Sequence, residues 1–246
     1  MGSIMYKSGM SAGRTRQTTS IPIVSIFPSI DGEVNGAGQG VLATFIRLAG
    51  CNLRCWGGRC DTPQGLAVTE HTRFMQVSAV IDAVVALESR KVTVTGGEPL
   101  LYAACGLQDV LAALADRFIY LSVETNGSIL PPEHLLRMVD SWVVDHKCPS
   151  TGESGKMVPF PIMRERLTNS DFIKFVIADE DDYAYAKNIV ESCVFTPESP
   201  NMAFSPKTGG MNASWLADRL VADRLHTVRY NLQIHKVIWP EADREV

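Results

Sequence analysis

The sequence predicts an α/β protein of one domain, with mainly parallel strands and helices packed outside them. Three observations carry that prediction. Apolar runs of strand length alternate with helix-period segments, and no repeat or low-complexity linker interrupts them after residue 20. The 246 residues suffice for one substantial core and are few for two. A composition of 46% apolar and 20% charged residues with a net charge of −4 excludes disorder for most of the chain. No run approaches the roughly 20 uninterrupted apolar residues of a membrane helix, and the first twenty are too polar for a signal-peptide core. The mildly acidic balance argues against direct nucleic-acid binding, which needs a basic face. The expectation is a cytoplasmic enzyme or binding protein without membrane attachment.

Residues 1–20 show neither a 2-fold nor a 3.6-fold period and read as a flexible tail, leaving 21–246 as the domain. Ile21–Phe27 and Val41–Leu48 are β-rich runs separated by a Gly-rich turn. From Phe74 to Arg90, Val77, Val80, Ile81, Val84 and Val85 follow the helical i, i+3, i+4 spacing. Val92–Thr95 is a short buried-type strand that stops at Gly96-Gly97. Leu107, Val110, Leu111, Leu114 and Phe118 mark a second amphipathic helix. Ile119–Glu124, Trp142–Asp145 and Phe172–Ile177 read as strands, with a helix from about Asp182. Asp179-Glu-Asp-Asp182 reads as a solvated helix start satisfied by the helix dipole. Asn212 is placed to cap a helix carrying Leu216 and Leu220, and Val228–Ile234 reads as a last strand. Such layouts put their sites at the C-terminal ends of the strands, where Cys51, Gly96-Gly97, Thr125-Asn126, Lys147 and His235 fall.

Of six cysteines, Cys51, Cys55 and Cys60 fall on one short loop, while Cys105, Cys148 and Cys193 are dispersed. Three clustered thiols suggest a metal or iron–sulfur site. Three thiolates hold three corners of a cubane cluster and leave one iron open, the mark of a reactive site. Gly57-Gly58 let the loop turn back. A zinc knuckle with a distant fourth ligand, such as Cys148 or a His, or merely buried thiols, fits the spacing too. Val94-Thr-Gly-Gly-Glu-Pro99 ends a strand with two glycines and a carboxylate. Exposed backbone there suits an amino acid's ammonium group, and a strand-to-helix turn explains it equally.

Together the two motifs resemble the radical S-adenosylmethionine (SAM) superfamily. That family's usual cysteine spacing is C-x3-C-x2-C, whereas this loop reads C-x3-C-x4-C. Five stretches are similar to one branch, the 7-carboxy-7-deazaguanine synthases: Ile26–Glu33, Phe45–Cys51, Cys60-Asp-Thr62, Val123–Gly127 and Leu232–Lys236. Asp31 and Val34 depart from the family's first stretch, and Asp145-His-Lys147 stands where the family carries Ser-Pro-Lys. The resemblance implies a partial (β/α) barrel of the radical SAM type. It also implies a carbon–nitrogen lyase that contracts the ring of 6-carboxy-5,6,7,8-tetrahydropterin to 7-carboxy-7-deazaguanine with loss of ammonia, in queuosine precursor biosynthesis.

Carried over motif by motif, the resemblance implies a [4Fe–4S] cluster on Cys51, Cys55 and Cys60, and Mg²⁺ on Thr62, whose hydroxyl also suits a helix N-cap. SAM would be flanked by Arg59, Cys60 and Asp61, by Gly97 and Glu98, and by Asp145, His146 and Lys147. The pterin would meet Ile30, Asp31, Gly32, Arg47, Thr95 and His235. Arg47 fits a surface ion pair and His235 a core histidine as alternatives. The implied partners are the small-molecule substrate, an electron donor such as a flavodoxin or ferredoxin, and a second copy in a homodimer. Two other readings stand beside this one: a radical SAM activating enzyme acting on a partner protein, and a non-enzymatic zinc or iron–sulfur protein.

Overall fold

The computed structural model of the protein describes residues 19–240. The tail expected over 1–20 therefore lies outside the described residues, apart from Thr19 and Ser20, and Ser20 already opens the first strand. Nine strands form one sheet: β1 (Ser20–Ile30), β2 (Leu42–Leu48), β3 (Arg73–Gln76), β4 (Lys91–Gly96), β5 (Tyr120–Thr125), β6 (Ser141–Asp145), β7 (Phe172–Ile177), β8 (Asn201–Pro206) and β9 (Val228–Tyr230). Their spatial order is β3-β1-β2-β4-β5-β6-β7-β8-β9. From β2 to β9 every neighbouring pair is parallel, while β1 pairs antiparallel with both β2 and β3. The longer helices are α1 (Val77–Ala86), α2 (Gln108–Ala115), α3 (Phe160–Arg166), α4 (Glu180–Glu191) and α5 (Ala213–Ala222).

Alternation along each strand divides the two faces. Ile46, Leu48, Val92, Val94, Leu121, Val123, Trp142, Val144, Ile173, Phe175, Met202 and Phe204 point outward and form the main core with the helices. The residues between them include Lys91, Thr93, Ser122, Lys174 and Ser205, all buried although polar or charged. A polar inner face inside a curved parallel sheet is a binding interior rather than a second apolar core. Its floor is built by the segment after β1, which turns inward. Val34 packs with Val143, Phe172 and Ala203, and Gly36 N donates to Ser141 Oγ at the start of β6.

Strand β8 and helix α3 have no counterpart in the sequence reading, and three further elements are placed differently. Helix α1 begins at Val77, because Arg73–Gln76 add to the sheet as β3 beside β1. Phe118 follows α2 at 98% exposure with φ of 55° and covers no core. The last strand is only Val228–Tyr230; beyond it Asn231 and Gln233 turn side chains to Glu33, and Ile234–Ile238 form a helical turn. Asn212 caps α5 through Ser214 N, as its position suggested.

Candidate active site

One cavity opens at the C-terminal ends of the parallel strands. Cys51, Cys55 and Cys60 line it together with Arg59, Asp61, Thr62, Thr95, Gly97, Asp145 and Lys147. Ten of the sequence-selected residues therefore share one surface, contributed by the loop after β2 and the ends of β4 and β6.

The cysteine loop bends through three consecutive left-handed residues, Trp56 (φ 50°), Gly57 (φ 69°) and Gly58 (φ 86°). This is how the two extra residues are taken up. Backbone donors reach the sulfurs at either end: Leu53 N lies 3.5 Å from Cys51 Sγ and Thr62 N 3.5 Å from Cys60 Sγ, with Asn126 Nδ2 at 3.6 Å from Cys51 Sγ. Donors aimed at sulfur stabilise thiolates and tune a bound cluster. Burial pushes the Cys55 thiol up, and burial with the Asp61 charge beside it pushes Cys60 to about 11. Metal uptake must therefore displace protons.

The donor set fits a polynuclear cluster better than zinc. Cys51, Cys55 and Cys60 line the cavity with no other Cys and no His among its lining residues, the donor set of a cluster with one open corner. Cys148, the distant ligand a zinc knuckle would recruit, is fully buried with Sγ 3.9 Å from the His146 carbonyl and does not line the cavity.

The Gly-Gly-Glu edge is tied to this loop by backbone bonds. Gly50 N donates to Gly65 O, Cys51 N to Leu66 O, Gly97 N to Leu48 O and Glu98 N to Gly50 O, all at 2.8–3.1 Å. The strands cross so closely that a Cβ on Gly97 would lie 2.0 Å from Gly50 O and 2.4 Å from Gly65 O. Glycine here is a condition of the crossing. The Glu98 side chain, fully buried, accepts from Leu100 N, Thr125 Oγ1 and Asn126 N and does not reach the cavity.

Deeper in, carboxylates and amines alternate. Lys174 bridges Glu33 and Asp145, and Lys147 pairs with Asp145 at 2.6 Å. Burial opposes ionisation of both carboxylates, but Lys174 holds Glu33 down, and Lys147 with Lys174 holds Asp145 down. Among the described residues Glu124 makes no such close ion pair, and Lys174 offsets its burial only in part. Burial and the nearby Glu33 charge raise it to about 7, and Thr95 Oγ1 donates to it at 2.7 Å. Sequence reasoning selected none of Glu33, Glu124, Lys174 and Gln233 as site residues, although all line the cavity.

Six further sequence-selected residues lie outside the lining. Period-2 alternation turns His146 away from Asp145 and Lys147, into the outer core against Phe160, Phe175 and Tyr185. Burial there lowers it to about 4. Asp31 pairs with buried Lys91 and accepts from Thr93 Oγ1 at 2.7 Å, in the floor. Ile30 ends β1, pairing with Leu42. Gly32 and His235 are brought against each other, with no room for a Cβ between them, and Ile234 N donates to Gly32 O. Arg47 lies over the Phe27 ring at 5.2 Å, in register with Thr95 of β4.

Residues 45–146 match the model of the Radical SAM superfamily. The 7-carboxy-7-deazaguanine synthase of Methanospirillum hungatei is 34% identical over 226 residues, covering 90% of this chain and 87% of its own length. The chain belongs to the 7-carboxy-7-deazaguanine synthase family. The synthase of Chlorobaculum tepidum is 35% identical, covering 89% of this chain and 95% of that protein, and that of Clostridium acetobutylicum 31%, covering 91% and 98%. The crystal structure of QueE from Escherichia coli shares the fold, with a TM-score of 0.63 at 19% identity over 87% of this chain and 93% of that one. Membership makes this 7-carboxy-7-deazaguanine synthase homologue a radical SAM enzyme, with a [4Fe–4S] cluster and SAM as the family's cofactors. No helix among the described residues is long and apolar enough to cross a membrane.

Proposed function

We propose that this chain converts 6-carboxy-5,6,7,8-tetrahydropterin to 7-carboxy-7-deazaguanine with loss of ammonia. Cys51, Cys55 and Cys60 would hold the cluster, and SAM would lie between that loop and the Gly96-Gly97 edge. One observation carries the reading: the three thiols, the glycine edge bonded to their loop and a buried set of alternating charges share one cavity.

When bound, the cluster and SAM supply a carbon radical able to remove hydrogen from a saturated carbon. The chain's own residues do the rest. Glu33 is held ionised by Lys174 and fixed by Gln233 Nε2 at 2.6 Å, so it offers a rigid acceptor to ring N–H groups. Lys147, held charged by Asp145, faces the cysteine loop and suits a carboxylate. Glu124, close to neutrality, can hold a proton and pass it to a departing nitrogen, which is what release of ammonia requires. Arg47, outside the lining but in register with Thr95, would have to turn from Phe27 to meet the substrate carboxylate, and Thr62 supplies a hard oxygen for Mg²⁺. Ile30, Asp31, Gly32 and His235 support the pocket from beneath and beside it, and Glu98 and His146 support the SAM edge from behind. A flavodoxin or ferredoxin as electron donor, a homodimer and a cytoplasmic setting complete the reading.

The test is anaerobic turnover with reconstituted iron and sulfide, SAM, Mg²⁺ and a reductant, followed by mass spectrometry. A product lighter than the carboxytetrahydropterin by one ammonia, formed in many equivalents per SAM consumed, is expected. SAM cleaved while the pterin stays intact would overturn the substrate and keep the superfamily.

A further inference from the structure

The lengthened cysteine loop carries a non-glycine residue, Trp56, in the left-handed region, followed by two left-handed glycines. Such a loop holds its shape only if its surroundings determine it. The surroundings are on the far side of the cavity wall, in the segment after β6. The Trp56 indole Nε1 donates to Ser150 Oγ at 3.3 Å, and Ser150 Oγ donates to Asp182 Oδ2 at 2.6 Å. Asp182 has no exposed surface; it also accepts from Ser150 N at 2.9 Å and Ala178 N at 3.0 Å, which locks Ser150 to the first turn of α4. One turn further along, Glu153 Oε1 accepts from Arg54 N at 2.7 Å, at the other end of the same bend. Lys207 Nζ sits 5.0 Å above the indole ring from the β8 side.

We propose that Ser150, held by Asp182, is a positioning residue for the cysteine loop: it fixes Trp56 and thereby sets where Cys55 and Cys60 present their sulfurs. This rests on the reading of Cys51, Cys55 and Cys60 as cluster ligands. The two extra residues lengthen the bend between Cys55 and Cys60, and the Asp182–Ser150–Trp56 chain replaces the stiffness that a shorter bend has by itself. Asp182 thus does more than open a helix.

The test uses the full chain, reconstituted anaerobically with iron and sulfide, in four forms besides the parent: Trp56→Phe, Ser150→Ala, the double variant, and Ser150→Thr. Three quantities are read: the rate of iron loss to a chelator, the electron paramagnetic resonance spectrum of the reduced cluster, and the unfolding midpoint of the iron-free chain. Trp56→Phe keeps an aromatic ring and removes the donor together with the five-membered ring, so the lost bond is separated from the lost volume by the double variant. Expected is iron loss roughly five-fold faster in each single variant, the worth of one ordinary hydrogen bond. The double variant should be no worse than either single, because both break the same link. Ser150→Thr should match the parent, and Ser150→Ala, which also takes a donor from buried Asp182, should lower the iron-free midpoint, so in that variant the spectrum of the reduced cluster reads out positioning. Parent-level iron retention and an unchanged spectrum in both single variants would overturn the proposal alone, as would multiplied losses in the double. A parent chain that takes up no iron and sulfide would overturn the ligand reading and this proposal with it.

Discussion

Glu98 and Thr125 join the ends of two neighbouring strands: Thr125 Oγ1, at the end of β5, donates to Glu98 Oε1, just past β4, at 2.7 Å. Among the described residues the three hydrogen-bond partners of this buried carboxylate are all donors, the pattern an ionised acceptor requires. Glu98→Gln puts an amide N–H where one of those donors points. We expect a loss of about 1–3 kcal/mol in denaturant unfolding of the cluster-free chain, with weaker SAM binding following from the displaced edge. Full stability in the variant would show the network to be dispensable.

Gly97→Ala should be more damaging. The added methyl meets two backbone oxygens, Gly50 O and Gly65 O, closer than any real Cβ contact. Neither can rotate away as a side chain would. A loss of several kcal/mol or failure to fold is expected, on the order of 3 kcal/mol or more for strain of this kind, read as soluble yield and unfolding midpoint.

The buried imidazole of His146 makes stability depend on pH. Its pKa falls from 6.5 to about 4 on folding because burial penalises the charged form. Below pH 6.5 the unfolded chain takes up a proton that the folded chain refuses until about pH 4, so stability drops as pH falls through that window. The full loss is roughly 3 kcal/mol at 1.36 kcal/mol per pKa unit. His146→Phe should remove this contribution, flattening the unfolding free energy between pH 6.5 and 4, with other titrating groups leaving their own slopes. An identical pH profile in the variant would contradict the assignment.

Replacing any one of Cys51, Cys55 and Cys60 with Ala should abolish stable cluster assembly, since three thiolates already leave one corner of a cubane without a protein ligand. Iron and sulfide content after anaerobic reconstitution is the measurement, and parent-level iron in any of the three would remove that cysteine from the ligand set. Cys148→Ala, by contrast, should leave iron content at the parent level.

Thr62→Ala removes a hard oxygen that lines the cavity while leaving the neighbouring Cys60 and Asp61 in place. Turnover should need more Mg²⁺ for half-maximal rate, whereas substrate-independent SAM cleavage should hold. An unchanged Mg²⁺ requirement would assign the ion elsewhere.

Most of the fold was legible because it is written locally. Phe172–Ile177 is a strand with the bounds its apolar run announces, and Asn212 caps the helix it precedes. What escaped was set by distant partners. Phe74 to Gln76 have helical neighbours in sequence but pair with Ser20 to Pro22 in space. Asn201–Pro206 is too polar on its inner face to read as a strand. The thiols and the glycine edge were legible because short-range chemistry demands those residue types. Glu33 was not selected, since Lys174 and Gln233, its partners, lie 141 and 200 residues away in the chain. One signal was available: a lone lysine amid the apolar run Phe172-Ile-Lys-Phe-Val-Ile177 marks an inner face that is charged rather than dry. Period-2 counting from Asp145 would likewise have sent His146 to the outer core.

The segment after β1 closes the barrel from below, while the cysteine loop borders the opening above. If a ligand enters among the described residues past the cysteine loop, its depth sets a queue. On that geometry, what rests on Glu33 and Lys174 would arrive before, and depart after, anything that spans the opening between the cysteine loop and Gly97. Steady-state kinetics should then be sequential and ordered: the deep occupant binds first, and its product competes with it for the unoccupied enzyme.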